Sequence, residues 1–170
     1  MTEPHWLTPL EFLSILGDGL WHTTSPQRFK GILRTKAILP NPTIPDVERW
    51  CTRGGPKHYP FARSLGGVSL FDFAGFDSTS YHKNYPMSSW EHFVPYRSEW
   101  ESAMWIEIDR NKAADAIISG PDLLKKWDSE NAHGHMLMPL IEAVHIGPIP
   151  QQVFARVLSV DGDGWKTLES

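Results

Sequence analysis

The chain contains one cysteine, Cys51, in 170 residues. That count excludes an internal disulfide and fits a reducing compartment, so a cytoplasmic setting is expected. No apolar run approaches the ~18 residues of a membrane span, and Met1–His5 lacks the basic-then-apolar order of a secretory signal, so a soluble protein with no membrane partner is expected. Positive charge is not in excess: the net charge is −4 and the isoelectric point near 6.0. This argues against a broad basic surface for nucleic acid but leaves room for a local groove. Neither Gly54-Gly55 nor Gly66-Gly67 is followed by the residues of a P-loop or a dinucleotide fingerprint, so those nucleotide-binding classes are set aside. His133-Gly134-His135 with His145 matches no closed zinc pattern, and no metal site is expected. No internal repeat is present.

What remains is the composition of an ordinary globular protein, 41% hydrophobic and 21% charged. Its length suits one domain, taken as 1–170. Fourteen prolines and 13 glycines imply many loops, and eight tryptophans supply flat surface for a core or a ligand cleft. Thr8-Pro9-Leu10-Glu11 is a helix start with a capping box, and Leu10, Leu13 and Leu16 form its apolar face. Leu20-Trp21-His22-Thr23 follows as a short strand. Ser25-Pro26 then opens a helix in which Phe29, Ile32 and Leu33 face inward and Arg28, Lys30 and Arg34 face away. Segment 41–67 reads as a long loop with basic and aromatic residues interleaved.

Downstream, 67–73 reads as a second strand and 74–97 as irregular. The pattern predicts a strand at 104–109, with Met104, Ile106 and Ile108 on one face. Short helices are expected at 112–118 and 121–127, a strand at 140–146, a brief helix at 151–155 and a last strand at 156–160. The fold class is therefore α+β.

Three features point to chemistry. His22 stands at a strand end beside a helix N-terminus, where unpaired N–H groups and the helix dipole favour a phosphate-bearing ligand; a histidine there can equally bond only a neighbouring loop. Glu142 falls on the strand face shared by Leu140, Val144 and Ile146, where an apolar side chain would ordinarily stand. It is either a cleft carboxylate acting as base or cation stabiliser, or a strand-end residue that reaches solvent or an arginine. Arg49, Arg53 and Arg63, with Lys57 among aromatics, form a candidate substrate-binding loop for phosphates or nucleobases, solvated loop charges being the alternative. Cys51 has Arg49, Arg53 and His58 nearby in sequence, but an inert thiol is the simpler reading.

The segments Leu20-Trp21-His22-Thr23-Thr24-Ser25, Phe29 to Leu33, Ile38-Leu39-Pro40, Gly67-Val68-Ser69-Leu70 and Glu142 to Pro150, in that order, span most of the chain. Together they resemble the ADP-ribosyltransferase fold, in particular its diphtheria-toxin-like His-Tyr-Glu branch, related to DNA-modifying ADP-ribosyltransferase toxins and RNA 2′-phosphotransferases. The resemblance implies split mixed or antiparallel β-sheets with flanking short helices. It implies NAD as co-substrate, with His22 on a ribose hydroxyl, Thr23 on the nicotinamide amide, Ser69 beside them and Glu142 as the catalytic glutamate. The branch's tyrosine is represented by Tyr81 or Tyr85, and spacing leaves Tyr59 and Tyr96 open. Leu140 stands where the arginine-specific branch has Glu or Gln, and His22 is followed by Thr23 where the phosphotransferases have a histidine pair. Those branches are therefore less similar.

The function so implied is an ADP-ribosyltransferase, a toxin or defence effector with a macromolecular or nucleobase acceptor and an antitoxin partner. The alternatives are an inactive nucleotide- or ADP-ribose-binding module and a nucleic-acid-directed enzyme of the same fold. The last would bind with steep salt dependence.

Overall fold

A computed structural model of the protein describes residues 7–50, 52 and 54–168. Met1–His5, Cys51 and Arg53 lie outside the described residues, and with them the readings made of those positions.

The chain is α+β, built on a seven-stranded sheet and a separate two-stranded one. In chain order the elements are α1 (Pro9–Leu16), β1 (Leu20–Thr24), α2 (Pro26–Thr35), β2 (Ala37–Ile38), α3 (Phe61–Ser64), β3 (Gly67–Asp72), α4 (Ser78–Asn84), β4 (Ser102–Ile108), α5 (Arg110–Ala113), β5 (Ile117–Ile118), α6 (Gly120–Ser129), β6 (Glu142–Ile146), β7 (Ile149–Pro150), β8 (Phe154–Asp161) and β9 (Gly164–Thr167). The large sheet runs β5-β6-β3-β1-β4-β8-β9, the small one pairs β2 with β7, and every pairing is antiparallel. Among the described residues no helix is long and apolar enough to cross a membrane.

Local signals account for the helix ends. Thr8 caps α1 through the Glu11 N–H, while Glu11 returns to the Thr8 N–H, and Ser25 caps α2 through the Arg28 N–H. Packing then overrides parts of the sequence reading. In α1 the buried residues are Phe12 and Leu16 while Leu10 is exposed, and in α2 Phe29 is buried but Leu33 is exposed. Segment 112–118 is a helical turn and a 3-10 turn running into strand β5, and α4 lies within the segment read as irregular. The helix expected at 151–155 is one 3-10 turn, Gln151–Val153, and β9 adds an edge strand that the periodicity did not indicate.

The large sheet is buried on both faces, because β4 alternates between two cores. Met104, Ile106 and Ile108 join Leu20, Phe29, Ile38 and Ile149 in an aliphatic core shared by α2 and the small sheet. Ala103 and Trp105 join Phe12, Trp21, Phe71, Phe73, Tyr81, Trp90 and Phe93 in an aromatic core beneath α1 and the 74–100 segment. Trp21 and Trp105 are fully buried, so most of that core's apolar area comes from rings. A third cluster, Phe61, Ala62, Leu123 and Val144, fixes α3 and α6 to β6.

Candidate active site

β1 and β3 pair only at Leu20–Asp72 and Trp21–Phe71, whereas β1 stays paired with β4 along its whole length, from Leu20–Ile108 to Thr24–Met104. Continued, the first register would set Thr23 opposite Ser69. Instead the strands part, and β3 continues against β6 with Ser69 opposite Val144 and Phe71 opposite Glu142. A seam between two central strands leaves backbone polar groups without ladder partners, and such groups must find others.

Ser69 occupies that seam and holds both predicted catalytic residues. The His22 ring bonds through Nδ1 to the Ser69 carbonyl at 3.1 Å, and the Ser69 hydroxyl donates to Glu142 Oε2 at 2.8 Å. A carbonyl only accepts, so Nδ1 carries the proton; in the neutral ring Nε2 is then an acceptor, suited to a ligand hydroxyl. His22 is held below its ordinary pKa, first by removal from water and further by the Arg28 charge, against the opposing effect of the Ser69 bond. The seam thus presents a neutral imidazole.

Glu142 is buried, 4% exposed, and neither reaches solvent nor pairs with an arginine. Its Oε1 accepts the Met138 N–H at 2.9 Å while its own N–H donates to the Met138 carbonyl at 3.1 Å, a closed loop around the carboxylate. Burial raises its pKa above the ordinary glutamate value, and the bonds from Met138 and Ser69 pull it back in part. Each oxygen keeps a lone pair for a ligand hydroxyl.

The turn that supports Glu142 depends on two close approaches. Leu140 takes a left-handed φ of 66°, so it leaves the strand that the alternation assigned to it, and β6 begins at Glu142. At Gly120, opening α6, a Cβ would stand 1.8 Å from the Leu140 carbonyl oxygen, so only glycine lets the two backbones meet. Met138, Leu140 and Gly120 carry no chemical signature in the sequence; the isolated glycine at a helix start was the one available signal.

Thr23 places its hydroxyl in the interior with no hydrogen-bond partner, a group a ligand would satisfy. Tyr81 lies in the aromatic core, its hydroxyl 3.0 Å from Ser88 Oγ and its ring 5.2 Å from that of Tyr85. Its pKa is pushed up to about 12, mainly by burial, with Tyr85 and the Glu142 charge adding to the rise against the Ser88 bond. The Glu142 charge thus acts on Tyr81, whose ring neighbour is Tyr85. Tyr59 is engaged elsewhere: its hydroxyl donates to Asp46 and Arg63 stacks 3.7 Å from its ring.

Of the arginines named from the sequence, Arg63 is paired with Asp46 at 2.9 Å and Arg49 donates to the Pro40 carbonyl at 3.1 Å. Both brace the 41–67 segment. Arg28, read as facing away from the core, is half-buried and donates to the Glu48 carbonyl. The three histidines considered for metal bond to protein: His133 to Asp128, His135 to the Tyr59 carbonyl and His145 to the Gly147 carbonyl. Two open depressions lie apart from the seam. One, of about 490 Å3, is bordered by Lys57, Phe61, Leu65 and His135; the other, of about 530 Å3, by Asp18, Arg110 and Arg156.

The arrangement is a neutral hydrogen-bond acceptor and a buried carboxylate joined through one serine, with an unpaired hydroxyl and two tyrosines near. It can orient hydroxyls and hold negative charge close to them. Compared with protein-family models and with curated proteins, the chain gives no match.

Proposed function

We propose that the protein is an NAD-dependent ADP-ribosyltransferase with its site on the β1–β3 seam, as the resemblance in sequence implies. The observation that carries the reading is the Ser69 link, whose carbonyl binds His22 and whose hydroxyl binds Glu142. In this reading His22 Nε2 accepts a hydrogen bond from a ribose hydroxyl, and the Thr23 hydroxyl and backbone hold the nicotinamide amide. Tyr81 or Tyr85 packs on the nicotinamide ring. Nicotinamide departs with the electron pair of its glycosidic bond, leaving positive charge on the ribose C1′. The Glu142 carboxylate, bonded to a ribose hydroxyl, stabilises that charge. The acceptor, a macromolecule or a nucleobase, then bonds to C1′ and gives up its proton to solvent or to Glu142.

The test is incubation of the intact protein with labelled NAD and candidate acceptors, beside Glu142→Gln. Nicotinamide release that Glu142→Gln abolishes is expected; no release, or equal release by the variant, overturns the proposal. The intracellular toxin or defence role, with an antitoxin partner, belongs to the same proposal. Growth arrest on expression, absent with Glu142→Gln and relieved by a co-expressed neighbouring gene product, tests it.

One observation favours a second reading, a nucleotide- or ADP-ribose-binding module. Both Glu142 oxygens already bond protein donors. Tight ADP-ribose binding without nicotinamide release would select it.

A further inference from the structure

Arg28 and Arg97 come from distant parts of the chain and meet at one indole. The Arg28 Cζ stands 6.0 Å from the Trp100 ring centroid and the Arg97 Cζ 5.0 Å from it. Arg97 also lies 4.8 Å from the Trp50 ring and 5.7 Å from Phe93, so its guanidinium is held in a box of aromatic rings. Other arginines of the protein are matched by close carboxylates, as Arg110 is by Asp72 at 2.8 Å and Arg156 by Glu107 at 2.6 Å. This pair is not. Arg28 spends its hydrogen bond on the neutral Glu48 carbonyl, and the Arg97 Nε is buried with no hydrogen-bond partner, Glu99 lying 3.5 Å away.

Two features make the placement unfavourable for the free protein. Arg28 sits in the first turn of α2, which has no acidic residue, where the helix dipole opposes a cation. Arg28 and Arg97 also repel one another, which, after burial, lowers the Arg28 pKa. The Arg28 charge further acts on His22, so the Arg28 end of the pair faces the seam's histidine electrostatically. An anion bridging the two guanidiniums would remove the repulsion and supply charge-assisted hydrogen bonds.

We propose that Arg28 and Arg97, gathered at Trp100, form a seat for the diphosphate of a dinucleotide whose ribose meets His22. The phosphates of such a ligand hang from C5′ of that ribose, and Arg28 is the cation whose charge reaches His22. The seat rests on the reading of His22 as a ribose contact but not on turnover.

The experiment is calorimetry of the intact protein with ADP-ribose, adenosine and a short single-stranded oligonucleotide, for wild type, Arg28→Gln, Arg97→Gln and the exposed same-helix control Arg34→Gln. Losing one charged contact is expected to weaken ADP-ribose by roughly 10- to 100-fold, with adenosine binding unchanged and Arg34→Gln like wild type. Thermal unfolding confirms that each variant is folded; if one guanidinium proves necessary for folding, the other variant gives the same readout. Undetectable ADP-ribose binding, or equal binding by both arginine variants, overturns the seat. So does a loss confined to the oligonucleotide, which would assign the arginines to a polyanionic acceptor. Arginine-dependent ADP-ribose binding without NAD cleavage leaves the seat standing and removes the transferase. NAD cleavage with ADP-ribose affinity indifferent to both arginines does the reverse.

Discussion

Replacing Glu142 by Gln is expected to abolish NAD cleavage and at the same time to stabilise the protein. The amide is nearly isosteric with the carboxylate. Its oxygen can keep the Met138 N–H, and its NH2 can donate to Ser69 Oγ, the hydroxyl turning to suit, so neither bond at Glu142 is lost. Converting two charge-assisted bonds into neutral ones removes about 1 kcal/mol each. Against this stands the several kcal/mol by which a buried carboxylate is desolvated. The net expectation is a gain of about 1–2 kcal/mol, or about 2–8 °C in Tm for a chain of this size.

The gain must depend on pH in a defined direction. Because the folded pKa of Glu142 lies above the ordinary 4.5, the folded state binds the proton more tightly than the unfolded one. Wild type is therefore relatively most stable below 4.5 and loses that stability as pH rises through the folded pKa. The advantage of Glu142→Gln should grow as pH rises through the folded pKa and fade toward 4.5. Scanning calorimetry of both proteins across that range measures it, with nicotinamide release followed on the same samples. A Gln variant no more stable above the folded pKa, or an advantage that does not fade in acid, would refute the account of Glu142 as a desolvated carboxylate. Glu142→Ala should behave oppositely, losing about 2–4 kcal/mol by leaving the Ser69 hydroxyl and Met138 N–H unpaired.

Three further outcomes follow from the seam. Ser69→Ala removes a bond that favours the charged carboxylate, so the acid limb of the pH–rate profile should move to higher pH while stability falls by about 1 kcal/mol; an unmoved limb would show that Ser69 does not act on Glu142. His22 has a depressed folded pKa, so its contribution to stability is present above 6.5 and lost as pH falls through the folded value. Nitrogen-15 spectra at pH 7 should show Nδ1 protonated and Nε2 bare, and a protonated Nε2 would contradict the assigned tautomer. Gly120→Ala should destabilise by about 2–3 kcal/mol or more through contact with the Leu140 backbone and should lower turnover by displacing Glu142; an unperturbed Tm would mean the turn relaxes freely.

Part of this protein was legible in its residues alone. The capped starts of α1 and α2, strands β1, β3 and β4 and the α+β class all follow from local chemistry: a hydroxyl before a proline, alternation along a strand, glycine at a turn. His22 was singled out by its place at a strand end beside a helix N-terminus, and Glu142 by a carboxylate on a strand face that calls for an apolar side chain. Leu10 and Leu33 show the limit of periodicity, because a helical stripe names a face and only packing decides which of its residues are covered. Arg28 shows it more sharply: its helical position pointed to solvent, yet the 41–50 segment and Trp100, distant in sequence, close over it. The parting of β1 from β3, the use of Ser69 as the link and the backbone contact of Gly120 with Leu140 were decided by tertiary structure. Each depends on which strands become neighbours and how closely two backbones approach, and long-range pairing of that kind leaves no period, cap or turn signal in any one segment of the chain.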